Sequence, residues 1–418
     1  MLRGFPRFRA ADDPPDAMTP NKILVANIGS TSFKFRLFEM PSERVLASGG
    51  IERIGSAESP YRLQTGGAPE RTGTAVVPDH GTAIALVEKE LGGFGSLAAV
   101  GFKPVGARNV SGTQRMDERV LEAMAEFNTL LPAHNPPCIA GIRLFNQLYP
   151  QLPCIGTFET AFFADLPPAK RRYPVPLEWE TQYGIRRYGY HGASHRYVTQ
   201  RCAELRGTDQ LRIISCHLGG SSSVAAVRNG RAVDSSWGMT AQSGLPQNNR
   251  VGDFDCLALI YLARDLGLGM DAVEQALTTR SGLLGMSGLP TGDVRDILAA
   301  AASGNENARI ALEVFTSSIR KFIGQFLVEM NGADVIVFTA GIAENNPVLR
   351  EAICADLDFC GLELDREANA GTGAQEAVIS TPRSKIEVRV IPTHEELIIA
   401  RNAWAELTSV NQHIPQPQ

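Results

Sequence analysis

An apolar run, a turn of glycine and hydroxyl residues, and a second strand-like run follow one another twice in this chain. The first copy is KILVA at 22–26, NIGSTS at 27–32 and FKFRLFEM at 33–40; the second is RIISCH at 212–217, LGGSSS at 218–223 and VAAV at 224–227. Short runs rich in β-branched and aromatic residues, closed by small turn residues, read as strands joined in hairpins. One such hairpin in each half predicts a duplicated α/β architecture, each lobe built on a sheet whose turn faces a shared cleft. The length of 418 residues fits, being too great for one ordinary core. A third apolar run, DVIVFTA at 334–340, leads into GIAENNP and then a helical stretch, VLREAICADL.

Helices are expected where apolar residues recur at three and four. Leu312, Phe315, Ile319, Phe322 and Phe326 form one stripe; Leu397, Ala400, Trp404 and Leu407 form another. Both read as core. Thr393 with Glu396 three residues on has the form of a capping box, which gives Glu396 a local structural role and leaves Glu395 free for other work. Residues 1–20 and 411–418 read as disordered tails, with Met18 a candidate start; the basic-then-acidic head lacks the apolar stretch of a secretory signal. The lobes are expected at 21–160 plus 397–410 and at 161–396, the second binding nucleotide.

Composition narrows the function. The net charge of -5 argues against a nucleic-acid partner, and no apolar run approaches the roughly 18 residues needed to span a membrane. Seven scattered cysteines without a CxxC pair suggest reduced, buried thiols in the cytoplasm and no zinc site.

The small-residue turns carry the chemistry. Backbone N–H groups in such turns approach a phosphate closely, and hydroxyls add donors. Lys34 follows the first turn on the same strand face as Ser32, where a cation would neutralise transferring charge. Asn27 offers a carbonyl oxygen of the kind hard cations take. A serine-rich hairpin is by itself more often only a hairpin; two of them at the ends of two apolar strands suit a nucleotide held between lobes. Gly341–Asn345 stands where a strand gives way to a helix, a position that favours anions. GxxxxGK[ST] is absent, as are the HRD and DFG motifs of protein kinases. His195 reads as a satisfied structural histidine and His80 as a cap or surface residue.

Ten segments in order resemble the acetate kinase family: NIGSTSFK at 27–34, HNPP at 134–137, FETAF at 158–162, RRYGYHGASHRYV at 186–198, HLGGSSS at 217–223, NRVGDFD at 249–255, SGLLGMSG at 281–288, GDVRDI at 292–297, FTAGIAENN at 338–346 and PTHEEL at 392–397. The resemblance implies the fold of the sugar kinases, actin and heat-shock ATPases: two ribonuclease-H-like lobes with the active site between them, in chains that are usually homodimers. It implies reversible, ATP-dependent phosphorylation of a short carboxylate, acetate by default, giving an acyl phosphate and ADP. It places Mg²⁺ or Mn²⁺ near Asn27 and Glu395, and Ser30, Ser32 and Lys34 near the transferring phosphate. It gives catalytic roles to His191, Arg250, His134 and Glu159. It assigns nucleotide to His217, Leu218, Gly219, Gly220 and Ser221, to Asp293, Val294 and Arg295, and to Gly341, Ile342, Ala343, Glu344 and Asn345. The acyl substrate falls to Lys103, Val105, Ala133, Tyr190 and Ala241.

Several positions depart from the family pattern. Lys103 stands where an arginine is expected to bind the substrate carboxylate, with Arg108 five residues on as a replacement; a guanidinium fork and an ammonium point charge are not equivalent there. Glu159 stands for an aspartate, Gly220 for the asparagine of HLGNG, and Gln247-Asn248-Asn249 for the residues before the arginine of MGTR. Ala133 and Ala241 replace a leucine and a proline, which enlarges the acyl pocket unless Tyr190 or Gln242 fills it. An acid larger or more polar than acetate, such as propionate, is therefore the second reading, a nucleotide-binding regulator without turnover the third, and a different phosphoryl donor such as pyrophosphate the fourth.

Overall fold

The computed structural model describes residues 20–411, with the side chains of the last two left aside. The expected tails lie outside these residues, apart from Pro20 and Asn411; Asn411 ends a helix.

Both hairpins form, and each seeds a sheet. The first sheet holds β1 (Lys22–Ile28), β2 (Phe33–Glu39), β3 (Arg44–Ile51), β4 (Ser59–Thr65), β5 (Arg71–Ala75), β6 (Leu97–Phe102), β7 (Thr113–Arg115) and β8 (Cys154–Thr157), in the order β5-β4-β3-β2-β1-β6-β8-β7. The second holds β9 (Arg212–Leu218), β10 (Ser222–Arg228), β11 (Arg231–Ser235), β12 (Val335–Thr339), β13 (Ala377–Val378) and β14 (Glu387–Val390), in the order β11-β10-β9-β12-β14-β13. The duplication is visible in the pairing. β1, β2 and β3 run antiparallel, then β6 lies parallel to β1 and β8 parallel to β6. β9, β10 and β11 run antiparallel, then β12 lies parallel to β9 and β14 parallel to β12. The parallel steps require crossovers, supplied by helices such as Asn135–Leu148 before β8 and Glu306–Glu329 before β12.

Each sheet has a core of its own, and a third core joins them. Ile23 and Val25 of β1 and Val335 and Val337 of β12 share one cluster with Ala193 and Val198 of helix Gly192–Arg206 and Ile399 and Ala403 of helix Glu395–Asn411. These two helices lie against each other between the sheets, which brings the hairpin turns toward one cleft. On Glu306–Glu329, Phe315, Ile319 and Phe326 are buried and Leu312 and Phe322 half-buried, as the stripe requires.

Three expectations change. The capping box does not form: the Thr393 N–H donates to Glu344 Oε1 at 3.3 Å, the Thr393 hydroxyl is buried without a partner, and Glu396 reaches Arg36 at 3.8 Å. Glu344, from the helix after β12, takes the donor that a local cap needs, so the helix begins at Glu395. All seven cysteines are free, yet Cys256 is exposed and Cys138 and Cys360 are only half-buried. His80 is neither cap nor bystander; Asp79 caps its helix while the His80 ring Nε2 lies 2.9 Å from the Gly29 carbonyl and steadies the first turn. Among the described residues no helix is long and apolar enough to cross a membrane.

Candidate active site

A cavity of about 320 Å³ opens where the two hairpins face each other. Asn27 and Gly29 reach it from the end of β1, Lys103 and Val105 from beyond β6, Glu159 from beyond β8, and His217 and Ser221 from the β9–β10 turn. Ala133 and His134 precede helix Asn135–Leu148, and Tyr190 and His191 precede helix Gly192–Arg206. Trp237, Ala241, Arg250 and Glu395 complete the wall. Strand ends and helix starts supply most of the polar groups, as is usual where ligands bind to open α/β sheets.

His191 is held in a conformation few residues accept. Its φ of 56° is left-handed. The next residue must be glycine: a Cβ on Gly192 would stand 2.2 Å from the Glu159 carbonyl, which instead accepts the Gly192 N–H at 3.0 Å. The His191 ring lies between His217, with centroids 3.9 Å apart, and Trp237, at 4.5 Å. A buried relay sets its orientation. His191 Nδ1 lies 2.8 Å from Ser223 Oγ, which lies 2.8 Å from His195 Nε2; His195 Nδ1 in turn lies 2.8 Å from Ser215 Oγ. Ser223 has one proton, so it donates to one ring and accepts from the other. When Ser215 donates to His195, His195 to Ser223 and Ser223 to His191, Nε2 of His191 carries the proton; the reverse order puts it on Nδ1. Burial, reinforced by His195 and by the cations Lys103 and Arg250, holds His191 well below the usual imidazole pKa; burial does the same to His217 and holds His195 at about 3. All three are therefore neutral at pH 7.

Three charged side chains share the other wall. Lys103 Nζ lies 2.8 Å from Glu159 Oε1 and 2.5 Å from Glu395 Oε2. Burial opposes the ammonium, but the two carboxylates outweigh it and hold its pKa above the ordinary lysine value. Burial raises the Glu159 pKa against the pull of Lys103; in Glu395 the charge of Lys103 and its hydrogen bond overcome burial and lower it. Among the described residues Arg250 has no acidic partner. Its Nη2 donates to Ser221 Oγ and, at 3.3 Å, to Gln247 Oε1. His134 stands open to the cleft, its pKa lowered by the enclosing walls, Arg250 and Lys103.

Not every residue marked by the motifs arrives here. Lys34 is half-exposed, 3.5 Å from Glu52, and lines an adjoining groove that shares Asn27 with the cavity. Ser30 and Ser32 stay in the turn, where the Gly29 N–H bonds to the Ser32 carbonyl. Arg108 does not replace the missing guanidinium: it pairs with Glu126 at 2.8 Å and the Gln182 carbonyl at 2.6 Å, away from the cavity. Leu218 is buried, and Gly219 and Gly220 form the turn. Asp293 caps helix Val294–Ala302 and grips Arg295, with Val294 buried beneath. In Gly341–Asn345, Ile342 and Ala343 pack on the second core, Asn345 donates to the Gly341 carbonyl, and Glu344 accepts from the N–H groups of Ala340 and Thr393. Glu344 thus braces the turn. Tyr190 is fixed by its hydroxyl, 2.6 Å from the Met239 carbonyl.

Trp237, Ser215 and Ser223 were given no role by the sequence, and Gln247 was marked only as a departure from the family pattern. Ser223 lay in a motif read for its backbone; the SSWGMT segment around Trp237 carries no periodicity to mark it. Gln247 accepts the Ser222 N–H at 2.7 Å and ties the second turn to Arg250.

Comparison with known proteins places this geometry. Residues 22–401 match the model of the Acetokinase family. The acetate kinase of Geobacillus kaustophilus is 42% identical over 390 residues, spanning 91% of this chain and 98% of that one. That of Bacillus subtilis is 41% identical over 391 residues, spanning 91% and 98%. Among solved structures, Porphyromonas gingivalis acetate kinase superposes with a TM-score of 0.84 at 36% identity, covering 93% of this chain and all of that one. A propionate kinase from Francisella tularensis gives 0.84 at 30% identity, covering 91% and 98%. The chain belongs to the acetokinase family.

Proposed function

We propose that this protein is an ATP-dependent carboxylate kinase, transferring the γ-phosphoryl group of ATP to a short-chain acid and, in reverse, from the acyl phosphate to ADP. The observation that carries the reading is the one cavity lined together by Arg250, without an acidic partner among the described residues, and by His191, Asn27 and Glu395. A carboxylic acid is ionised at pH 7 and needs no general base. The difficulty is bringing two anions together, and transfer depends on alignment and charge neutralisation. Arg250 supplies positive charge where the acid and the γ-phosphoryl group meet. With the relay running from Ser215 to His191, the neutral His191 carries its proton on Nε2 and donates a hydrogen bond to the phosphoryl oxygens. The hydroxyl and N–H groups of Ser221 and the β9–β10 turn extend the same surface.

The chemistry of the donors fits a divalent ion, Mg²⁺ or Mn²⁺. Asn27 and Glu395 offer oxygen to the same cavity, and among the described residues no three His, Cys, Asp or Glu gather into a cage. That suits an ion that keeps most of its ligands as water and nucleotide oxygens. When bound, it neutralises charge on the nucleotide's phosphates.

The test is a hydroxamate assay with ATP, the divalent ion and a series of acids. Acyl hydroxamate from at least one short acid is expected; nucleotide binding without hydroxamate from any acid would leave a binding protein instead. The acyl wall favours an acid longer than acetate as a second reading. Ala133 and Ala241 line it with small side chains, and Tyr190 is held in place by Met239. kcat/KM for propionate or butyrate at least equal to that for acetate is expected, and a strong preference for acetate would remove this reading.

Association as a homodimer is supported by one exposed apolar stretch, in which Phe254, Leu257, Ile260, Tyr261, Leu266, Leu268 and Met270 face outward. Sedimentation of a dimer that Leu257→Glu dissociates would bear this out, and a monomeric parent chain would refute it. Seven cysteines without a disulfide suit the cytoplasm.

A further inference from the structure

Two departures from the family pattern fall on charged groups: Lys103 where arginine is expected, and Glu159 where aspartate is expected. In the fold they are partners, 2.8 Å apart, and Lys103 also holds Glu395 at 2.5 Å. The ammonium is a point donor, and the carboxylate facing it has the longer arm. Glu159 is 5% exposed, so it has little water to replace a lost partner.

The charge count decides what this trio does. The one ammonium is already engaged by two carboxylates, so Lys103 has no free charge to offer an incoming acid. Arg250 is bonded only to the neutral oxygens of Ser221 and Gln247 and keeps its whole charge for an anion. We propose that Lys103 is a positioning residue that fixes Glu159 and Glu395 as a matched set, and that the acid's carboxylate is bound by Arg250 and not by Lys103. The inference rests on the carboxylate-kinase reading and assigns the ends of that same site.

Kinetics of Lys103→Arg, Glu159→Asp and the double variant test it. Each single variant should lower kcat by about tenfold or more while the KM for the acid moves by less than about threefold, because the acid touches neither residue. The double variant restores a matched pair and should recover to within about fivefold of the parent, a non-additivity expected only of contacting groups. A Lys103→Met variant whose KM for the acid rises about a hundredfold with kcat preserved would show direct binding of the acid and overturn the proposal. So would additive losses in the double variant.

Thermal unfolding decides the pairing independently of activity. Lys103→Met leaves the buried Glu159 and the half-buried Glu395 without their shared cation and should lower the midpoint by about 5 °C. Lys103→Met/Glu159→Gln should recover at least half of that loss; no recovery would mean the two residues are not coupled. If the parent chain forms no acyl phosphate from any acid, the proposed activity fails, while this unfolding cycle still reports on the pair.

Discussion

His195 gives the arrangement a measurable pH signature. It is fully buried, with both ring nitrogens 2.8 Å from serine hydroxyls, and burial holds its pKa at about 3. An unfolded histidine titrates near 6.5. Below that pH the unfolded chain takes up a proton that the folded chain refuses. The stabilisation is therefore complete above about pH 7 and is lost progressively as the pH falls from 6.5 toward 3. Between pH 7.5 and 5.5 one such histidine costs about 1.4 kcal/mol of unfolding free energy. His191 and His217, also depressed by burial, add to the loss in the same direction. The perturbation is His195→Gln, and the assay is urea unfolding at both pH values. At pH 7.5 the variant should be less stable by about 1–3 kcal/mol, because Ser215 and Ser223 lose part of their bonding. Its loss on going to pH 5.5 should shrink by about 1.4 kcal/mol, the share of that one histidine. Comparing the pH-dependent differences separates the titration from the packing defect. An unchanged difference would mean that His195 takes up its proton in the folded state, and the neutral relay behind His191 would be wrong.

Arg250→Ala should lower kcat about a thousandfold while the KM for nucleotide moves only a few-fold, since an arginine that meets the phosphoryl group acts mainly in the transition state; equal losses in both would contradict its role. Gly192→Ala drives a methyl group into the Glu159 carbonyl and within 3.1 Å of Phe162 Cβ, and should destabilise by about 2 kcal/mol or more with loss of turnover, read by thermal unfolding and the hydroxamate assay. Asn248 faces the side chain missing from Gly220, its amide nitrogen 3.5 Å from where that Cβ would stand. Asn248→Gly should therefore raise the KM for nucleotide about tenfold, and adding Gly220→Asn should return most of it; a double variant no better than the single would show that the two positions are not interchangeable.

What could be read from the sequence was local. β1 with β2 and β9 with β10 announce themselves because a short apolar run and a small-residue turn sit side by side in the chain, and the pairing Asn27↔Lys34 follows from a tight hairpin. The motif residues His191, Arg250, Glu159 and Glu395 were legible as a set because each lies in a segment of distinctive composition, and the fold does bring them to one cavity. Side-chain commitment was not legible. Lys34 and Ser32 were expected on one strand face, yet Ser32 stays in the turn before β2 and Lys34 reaches Glu52. Thr393 and Glu396 have the spacing of a cap, but Glu344, nearly fifty residues upstream, takes the donor first. Trp237 gave no signal, because a single aromatic in an irregular segment has no period.

The same distinction bears on how the cleft attracts anions. Counted from sequence, Lys34, Lys103, Arg108 and Arg250 make the site strongly positive. In the fold, Lys34, Lys103 and Arg108 are each matched by carboxylates: Glu52, the Glu159–Glu395 pair, and Glu126. Arg250 alone among these four has only neutral partners. Its attraction for one bound anion is thus undiluted, but it cannot by itself neutralise both an acid and a polyphosphate. Two anions meeting here need a second positive charge, which on the proposed function a divalent cation at Asn27 and Glu395 would supply. Removing the cation should then weaken the second anion to bind more than the first, so the KM for the acid measured at saturating nucleotide should rise steeply as free Mg²⁺ falls. An acid KM indifferent to Mg²⁺ would mean that Lys103 had been released to serve the substrate after all.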